Sequence, residues 1–290
     1  EKVDLFWRME RTDETMYITG KAGAGKSYLL EFFVKHSRKN VAVVAPTGVA
    51  ALNVGGQTIH SFFGLDIDVQ NLNEIKRKGV YGKRKVILEK LDTLVIDEAS
   101  MVRVDLIDAI DLKLQLANGN NLPFGGKQVI LFGDLYQLPP VVEAQVDRYL
   151  EDNYGSKFFF AAPAFRRTLL SFYELKTVFR QSDAAFVGIL NDVRTGKATS
   201  NELAALNTRC GLLENRSAHN RFVTLTPRND TAAHINQQML DKISRPEYTY
   251  NATISGKFNK GTFPTEVALK LKVGTQVMML VNDNLDDFQE

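Results

Sequence analysis

Met16–Lys35 reads MYITGKAGAGKSYLLEFFVK, an apolar run, a glycine-rich turn and then an amphipathic helical stretch. Within it Gly20–Ser27, GKAGAGKS, satisfies the pattern G-x-x-x-x-G-K-S. Glycines let the backbone curl so that successive N–H groups converge on one point, which makes a nest for anionic oxygens. The helix that starts at Lys26 adds the positive end of its dipole. Gly20, Lys21, Ala22, Gly23, Ala24 and Gly25 therefore form a candidate phosphate cradle. Lys26 is placed to reach terminal phosphates, and the Ser27 hydroxyl is placed to ligate Mg2+. The order strand, loop, helix is what separates this string from a chance match.

Two further strings have the same layout. Leu94–Ser100, LVIDEAS, is a short apolar strand ending in acids. Asp97 at the strand end can hold a metal ion, and Glu98 can orient and deprotonate a water. Leu131–Val142, LFGDLYQLPPVV, places Gln137 a few residues past another strand end, before the stiff pair Pro139-Pro140. On its own a DE pair is a solvated strand terminus, and a lone Gln is a loop residue. Their value here comes from occurring together, because ligands of open parallel sheets bind at the carboxyl ends of the strands. ATP with Mg2+ is the ligand that this set of groups predicts. That reading fails if Lys26 and Asp97 fall on opposite sides of the domain.

Strands are expected at Met16–Thr19, Val41–Ala45, Leu94–Ile96 and Val129–Phe132, with helices at Lys26–His36, Gly48–Val54 and Val104–Leu116. Runs such as VAVV and LVI are apolar without alternation, which suits strands buried on both faces. Strand–helix alternation then predicts an α/β domain with a parallel sheet, over residues 1–170. The stretch 62–91 breaks the rhythm and is rich in Lys and Arg, so it is expected to be an insertion. A second α/β domain is expected over 171–290. It opens on a strand at Phe172–Leu175, followed by a helix capped by Asp183, a strand at Phe222–Leu225 and a helix from Asn229 to about Leu240. The last expected strand is Val277–Leu280.

Bulk properties bound the answer without deciding it. The 290 residues are 44% hydrophobic and 24% charged with a net charge of +2, so any nucleic-acid footprint must come from local patches. The single cysteine, Cys210, excludes an internal disulfide framework and is expected to be a small buried hydrophobe. No apolar run approaches the roughly 18 residues of a membrane span, and no leader pattern is present, so no membrane association and an intracellular location are expected.

In chain order GKAGAGKS, APTGVAALNVGGQTIHSFFGL (Ala45–Leu65), DEASMVRVDLIDAID (Asp97–Asp111), PFGGKQVILFGDLYQLPPVV (Pro123–Val142), FRQSDAAFVGILNDVR (Phe179–Arg194) and LTPRNDTAAHINQQML (Leu225–Leu240) resemble the PIF (petite integration frequency) helicases. These belong to branch B of helicase superfamily one and move five-prime to three-prime on single-stranded DNA. The resemblance implies two RecA-like P-loop domains, the second C-terminally incomplete, with ATP between them. Gln137 would sense the γ-phosphate and Arg180 would reach across as a cationic contact. Pro46, Thr47, Gly48, Thr58, His60, Ser61, Phe62 and, from the second domain, Asn229 would line the DNA strand. The insertion, with Lys76-Arg77-Lys78 and Lys83-Arg84-Lys85, stands where the family carries a duplex-splitting wedge; a solvated basic surface explains those charges equally well.

The implied partners are single-stranded DNA and DNA junctions, handled by a monomeric core in repair, recombination or telomere maintenance. The location would be cytoplasmic in a prokaryote and nuclear or mitochondrial in a eukaryote. Ala24 replaces a loop Thr common in the family, with little expected effect because backbone amides do the cradling. The later HKSQG-like and ALSR-like motifs do not occur. A fragment that binds nucleotide, hydrolyses it slowly and unwinds poorly is therefore expected. Three rivals remain: another branch-B helicase of RecD-like or phage type, a non-translocating ATP switch, and a P-loop small-molecule kinase, for which no basic lid segment is evident.

Overall fold

The computed structural model describes residues 1–177, 183–208, 210, 223–254 and 265–278. The chain forms two compact units, Glu1–Ala204 and Ala205–Glu290. The first is built on six strands: β1 (Thr15–Gly20), β2 (Val41–Ala45), β3 (Gln57–Thr58), β4 (Thr93–Ile96), β5 (Gln128–Phe132) and β6 (Leu170–Leu175). They are ordered β3-β2-β4-β5-β1-β6, and every pairing is parallel. Flanking them are α1 (Lys2–Arg11), α2 (Lys26–His36), α3 (Gly48–Asn53), α4 (Ile59–Phe63), α5 (Leu72–Lys78), α6 (Gly82–Lys90), α7 (Val104–Asn118), α8 (Ala144–Tyr154), α9 (Ala184–Arg194) and α10 (Ser200–Asn207).

Successive strand residues point to opposite faces. Tyr17, Leu94, Ile96, Val129 and Leu131 thus enter one apolar cluster with α7 and its neighbours. Met16, Ile18, Val95, Ile130 and Phe132 enter a second cluster with α1 and α2. Burial on both faces is why the strands lack alternation. The expected strands and helices of residues 16–132 fall within two residues of the observed bounds. The predicted face of α7, Leu106, Ile107, Ile110 and Leu114, is buried in full.

Several expectations change. The strand expected to open a second domain, Phe172–Leu175, instead pairs with β1 from Thr15↔Leu170 to Gly20↔Leu175, as an edge of the first sheet. The basic stretch 62–91, expected to be an insertion, is folded. It folds into α5 and α6, which pack on α7 and bury Ile75, Val80, Leu88 and Leu91 in the main core. Cys210 is exposed.

Asp183 does cap α9, accepting from the Phe186 amide at 3.0 Å. In the second unit, α11 (Asn229–Asp241) begins at the expected residue, and β7 (Glu247–Asn251) pairs antiparallel with β8 (Ala268–Lys272). Val223–Leu225 and Val277–Met278 are not strands, while Phe222 and 279–280, the other residues of those two expectations, lie outside the described residues. Among the described residues no helix is long and apolar enough to cross a membrane.

Candidate functional site

Because all six strands run in parallel, their carboxyl ends lie along one edge, and the candidate residues follow those ends. β1 ends at Gly20, β4 leads into Asp97, and β5 leads through Gly133 into Asp134. The register Ile18↔Phe132 and Ile96↔Leu131 keeps these three exits level. A side chain at Gly20 would stand 2.7 Å from the Leu175 carbonyl oxygen, so only glycine lets the loop leave the sheet here. Gly25, at φ 87°, turns the backbone into α2. Between them Ala24 is buried in the second cluster, while Lys21, Ala22 and Gly23 complete the curl.

Lys26 Nζ donates to the Gly20 carbonyl at 2.7 Å, so the ammonium is folded onto the loop itself. Burial holds its pKa below the usual value, while Asp134, Glu98 and Asp97 oppose that shift in this order. The structure therefore brings Lys26 and all three acids into one electrostatic neighbourhood. Asp97 is buried, its amide donating to Val44 O at 2.9 Å. Burial pushes its carboxyl up to about 6, and the Glu98 charge adds to this. Glu98 is half-buried in a left-handed backbone at φ 48°, a conformation that costs a non-glycine residue about 1 kcal/mol or more. Ser27 stands exposed in the first turn of α2.

These groups fit a metal-bound triphosphate. Asp97 is a buried carboxyl whose charged form the Glu98 backbone and Lys26 compensate only in part, and a cation would supply the rest. Among the described residues no three His, Cys, Asp or Glu side chains gather tightly enough to hold a metal alone. Mg2+ here would need phosphate oxygens beside Ser27 and Asp97.

Asp134 was not singled out from sequence, and it organises the third element. Burial alone would raise its pKa, yet Arg194, the Gln137 amide and the Tyr136 backbone N–H together hold it below the usual carboxylate range. Arg194 forks onto it, Nε to Oδ2 at 2.9 Å and Nη2 to Oδ1 at 2.7 Å. Gln137 Nε2 donates to Oδ2 at 3.1 Å, and the Gln137 backbone N–H donates to Asp134 O at 2.9 Å. An Asp directly after a buried strand was the available signal for Asp134; Arg194 offered none beyond its place at a helix end. Arg180 lies outside the described residues.

Farther along the same edge, past β2 and β3, lie the residues assigned to the DNA strand. Thr47 caps α3, accepting from Ala50 N at 3.2 Å, and Thr58 caps α4, accepting from Ser61 N at 3.2 Å. Pro46 and Phe62 are half-buried; Gly48 and Ser61 are exposed. Phe62 packs edge-to-face on Phe63 with centroids 5.0 Å apart. His60 turns inward: its Nε2 is buried without a hydrogen-bond partner, and burial, helped by Arg103, lowers its pKa. The residue as a whole is half-buried. Arg84, from the basic insertion, donates to Phe62 O at 3.1 Å and Ser61 O at 3.4 Å, so α6 holds the end of α4. Asn229 is exposed at the start of α11, in the second unit.

Comparison with known proteins follows the same lines. Residues 7–203 match the family model of PIF1-like helicases. The ATP-dependent DNA helicase PIF1 of Emericella nidulans is 32% identical over 93% of this chain and 37% of its own length. The Pif1 protein of Bdellovibrio bacteriovorus is 32% identical over 94% of this chain and 61% of its own. The chain thus spans between about a third and three-fifths of these relatives. The crystal structure of Bacteroides Pif1 helicase in complex with ADP-AlF3 and ssDNA superposes with a TM-score of 0.85 at 37% identity, covering 98% of this chain and 66% of that one. With strand exits, loop and acids arranged as described and most of the first unit matched, the chain belongs to the PIF1-like helicase family.

Proposed function

We propose that this chain is the motor core of an ATP-dependent DNA helicase that moves five-prime to three-prime on single-stranded DNA. The observation that carries this reading is the common edge on which Lys26, Asp97, Glu98 and the Asp134-held Gln137 meet. The loop amides and Lys26 hold the triphosphate. Ser27 and Asp97 would hold Mg2+, which when bound would supply positive charge against the negative charge gathering on the phosphates. Glu98 takes the proton of the attacking water. Gln137 contacts the water and γ-phosphate, and Arg180 meets the γ-oxygens, where charge spreads in the transition state.

DNA lies along Pro46–Gly48 and Thr58–Phe62 of the first unit, and Asn229 is the candidate DNA contact of the second, RecA-like domain. Single strands and junctions are the substrates of a monomeric intracellular core, and repair, recombination and telomere maintenance are the settings that suit it. The decisive test is ATP hydrolysis by the protein that carries this chain, measured with and without single-stranded DNA, alongside strand separation. Strong stimulation with unwinding is expected. Stimulation without strand separation would favour an ATP switch, and failure to bind nucleotide would remove the reading altogether.

A further inference from the structure

The pair Asp134–Arg194 is built more carefully than a tether for α9 requires. The Asp134 side chain is 1% exposed and that of Arg194 16%, and the guanidinium lies 4.4 Å from the Tyr136 ring centroid. Both oxygens of the carboxylate are fully used: Oδ1 accepts from Arg194 Nη2 and the Tyr136 amide, Oδ2 from Arg194 Nε and Gln137 Nε2. An ionised carboxylate can only accept. Gln137 must therefore turn its NH2 toward Asp134. That leaves Oε1 and the second N–H of the amide free, one to accept from a water and the other to donate to a phosphate oxygen. The tight turn from Asp134 O to the Gln137 backbone N–H fixes the same residue from its main chain.

Charge gives the second half of the argument. Asp134 and Arg194 both act on the Lys26 ammonium, with opposite signs. Without its guanidinium partner, Asp134 would set a buried negative charge beside the anion-binding loop and compete with phosphate for Lys26.

We propose that Arg194 is a positioning residue for ATP hydrolysis: through Asp134 it fixes the Gln137 amide with Oε1 toward the attacking water and cancels a buried charge beside the phosphate loop. The proposal rests on the reading of this edge as a hydrolysis site. It assigns Arg194 a role distinct from Arg180, which is proposed to meet the γ-phosphate directly.

The test compares binding of ADP alone with binding of ADP plus aluminium fluoride, a mimic of the transferring phosphoryl group, in wild type, Arg194→Met and Arg194→Lys. Arg194→Met is expected to weaken the fluoride complex by roughly tenfold or more while ADP moves by less than about threefold, since the amide acts mainly where charge develops. Arg194→Lys, keeping the charge but not the fork, is expected to fall between. Equal losses for the two ligands, or a fluoride complex of Arg194→Met within about threefold of wild type, would overturn the proposal. A wild type that binds neither ligand refutes the nucleotide site instead. The amide is then read directly, because the side-chain 15N signal of Gln137 should move toward that of a free glutamine in Arg194→Met, and an unmoved signal sinks the idea.

Discussion

At the β1, β4 and β5 end of the sheet's carboxyl edge, charged and polar side chains hold one another, Arg194 on Asp134 and Asp134 on Gln137, beside a Lys26 that closes on the loop carbonyl of Gly20. At the β2 and β3 end, polar side chains hold the backbone. Thr47 and Thr58 cap helices, and Arg84 binds the carbonyls that α4 leaves open. The first arrangement buries charge in fixed geometry, which is what stabilises charge that develops during a reaction. The second spends its side chains on shaping two short helices, so what it offers a partner is a surface of backbone and small residues. Such a surface suits gripping a phosphodiester chain without reading its bases. One edge thus carries two kinds of preorganisation, chemical at one end and steric at the other.

The sharpest way to break this contrast is Lys26→Ala. ATP turnover should fall by ~100-fold or more with an unchanged circular dichroism spectrum and unchanged DNA affinity. Turnover near wild type would remove the chemical end of the comparison. Next in size is an effect of pH. The Asp97 carboxyl, at about 6, must lose its proton to hold a cation, so Mg2+-dependent nucleotide binding should weaken as pH falls below about 6, by up to about tenfold per unit. In the ligand-free fold the sign is the reverse. The raised pKa means the native state binds the extra proton between 3.8 and about 6, so stability drops as pH rises through that window. Asp97→Asn should flatten both dependences, in titrations with a fluorescent nucleotide and in thermal melts.

Arg84→Ala probes the other end. It should weaken single-stranded DNA binding by about fivefold, as expected for losing a capping interaction worth about 1 kcal/mol, and leave ADP binding alone. A loss of ADP binding would show that the two ends are not separable. The smallest effect belongs to Thr58→Ala, which removes a helix cap worth about 1 kcal/mol. The first unit should then melt about 2–4 °C lower, with DNA affinity falling no more than it does in Arg84→Ala.

Much of this edge was legible before any coordinates. GKAGAGKS, LVIDEAS and LFGDLYQLPPV each carry a strand signal followed at once by the reactive residue, and strands buried on both faces announce themselves as unbroken apolar runs. In the basic stretch 62–91 charge dominates the composition, and Ile75, Val80 and Leu88, which anchor it, are spread among the lysines and arginines. Phe172–Leu175 reads as a strand but was given to the wrong sheet, since nothing in a four-residue string names its neighbour. Asp134 stood in a motif already in view, and its importance lay in a partner 60 residues away.

Within residues 16–132, local sequence by itself marked the main strands, where the phosphate loop curls and which acids end a strand. Those are short-range consequences of glycine freedom, helix dipoles and side-chain periodicity. Tertiary structure alone decided that β6 closes the sheet beside β1, that α6 braces α4, and that Arg194 holds Asp134 and hence Gln137. These are pairings between distant segments, chosen by which buried charges and carbonyls must find partners once the core has formed.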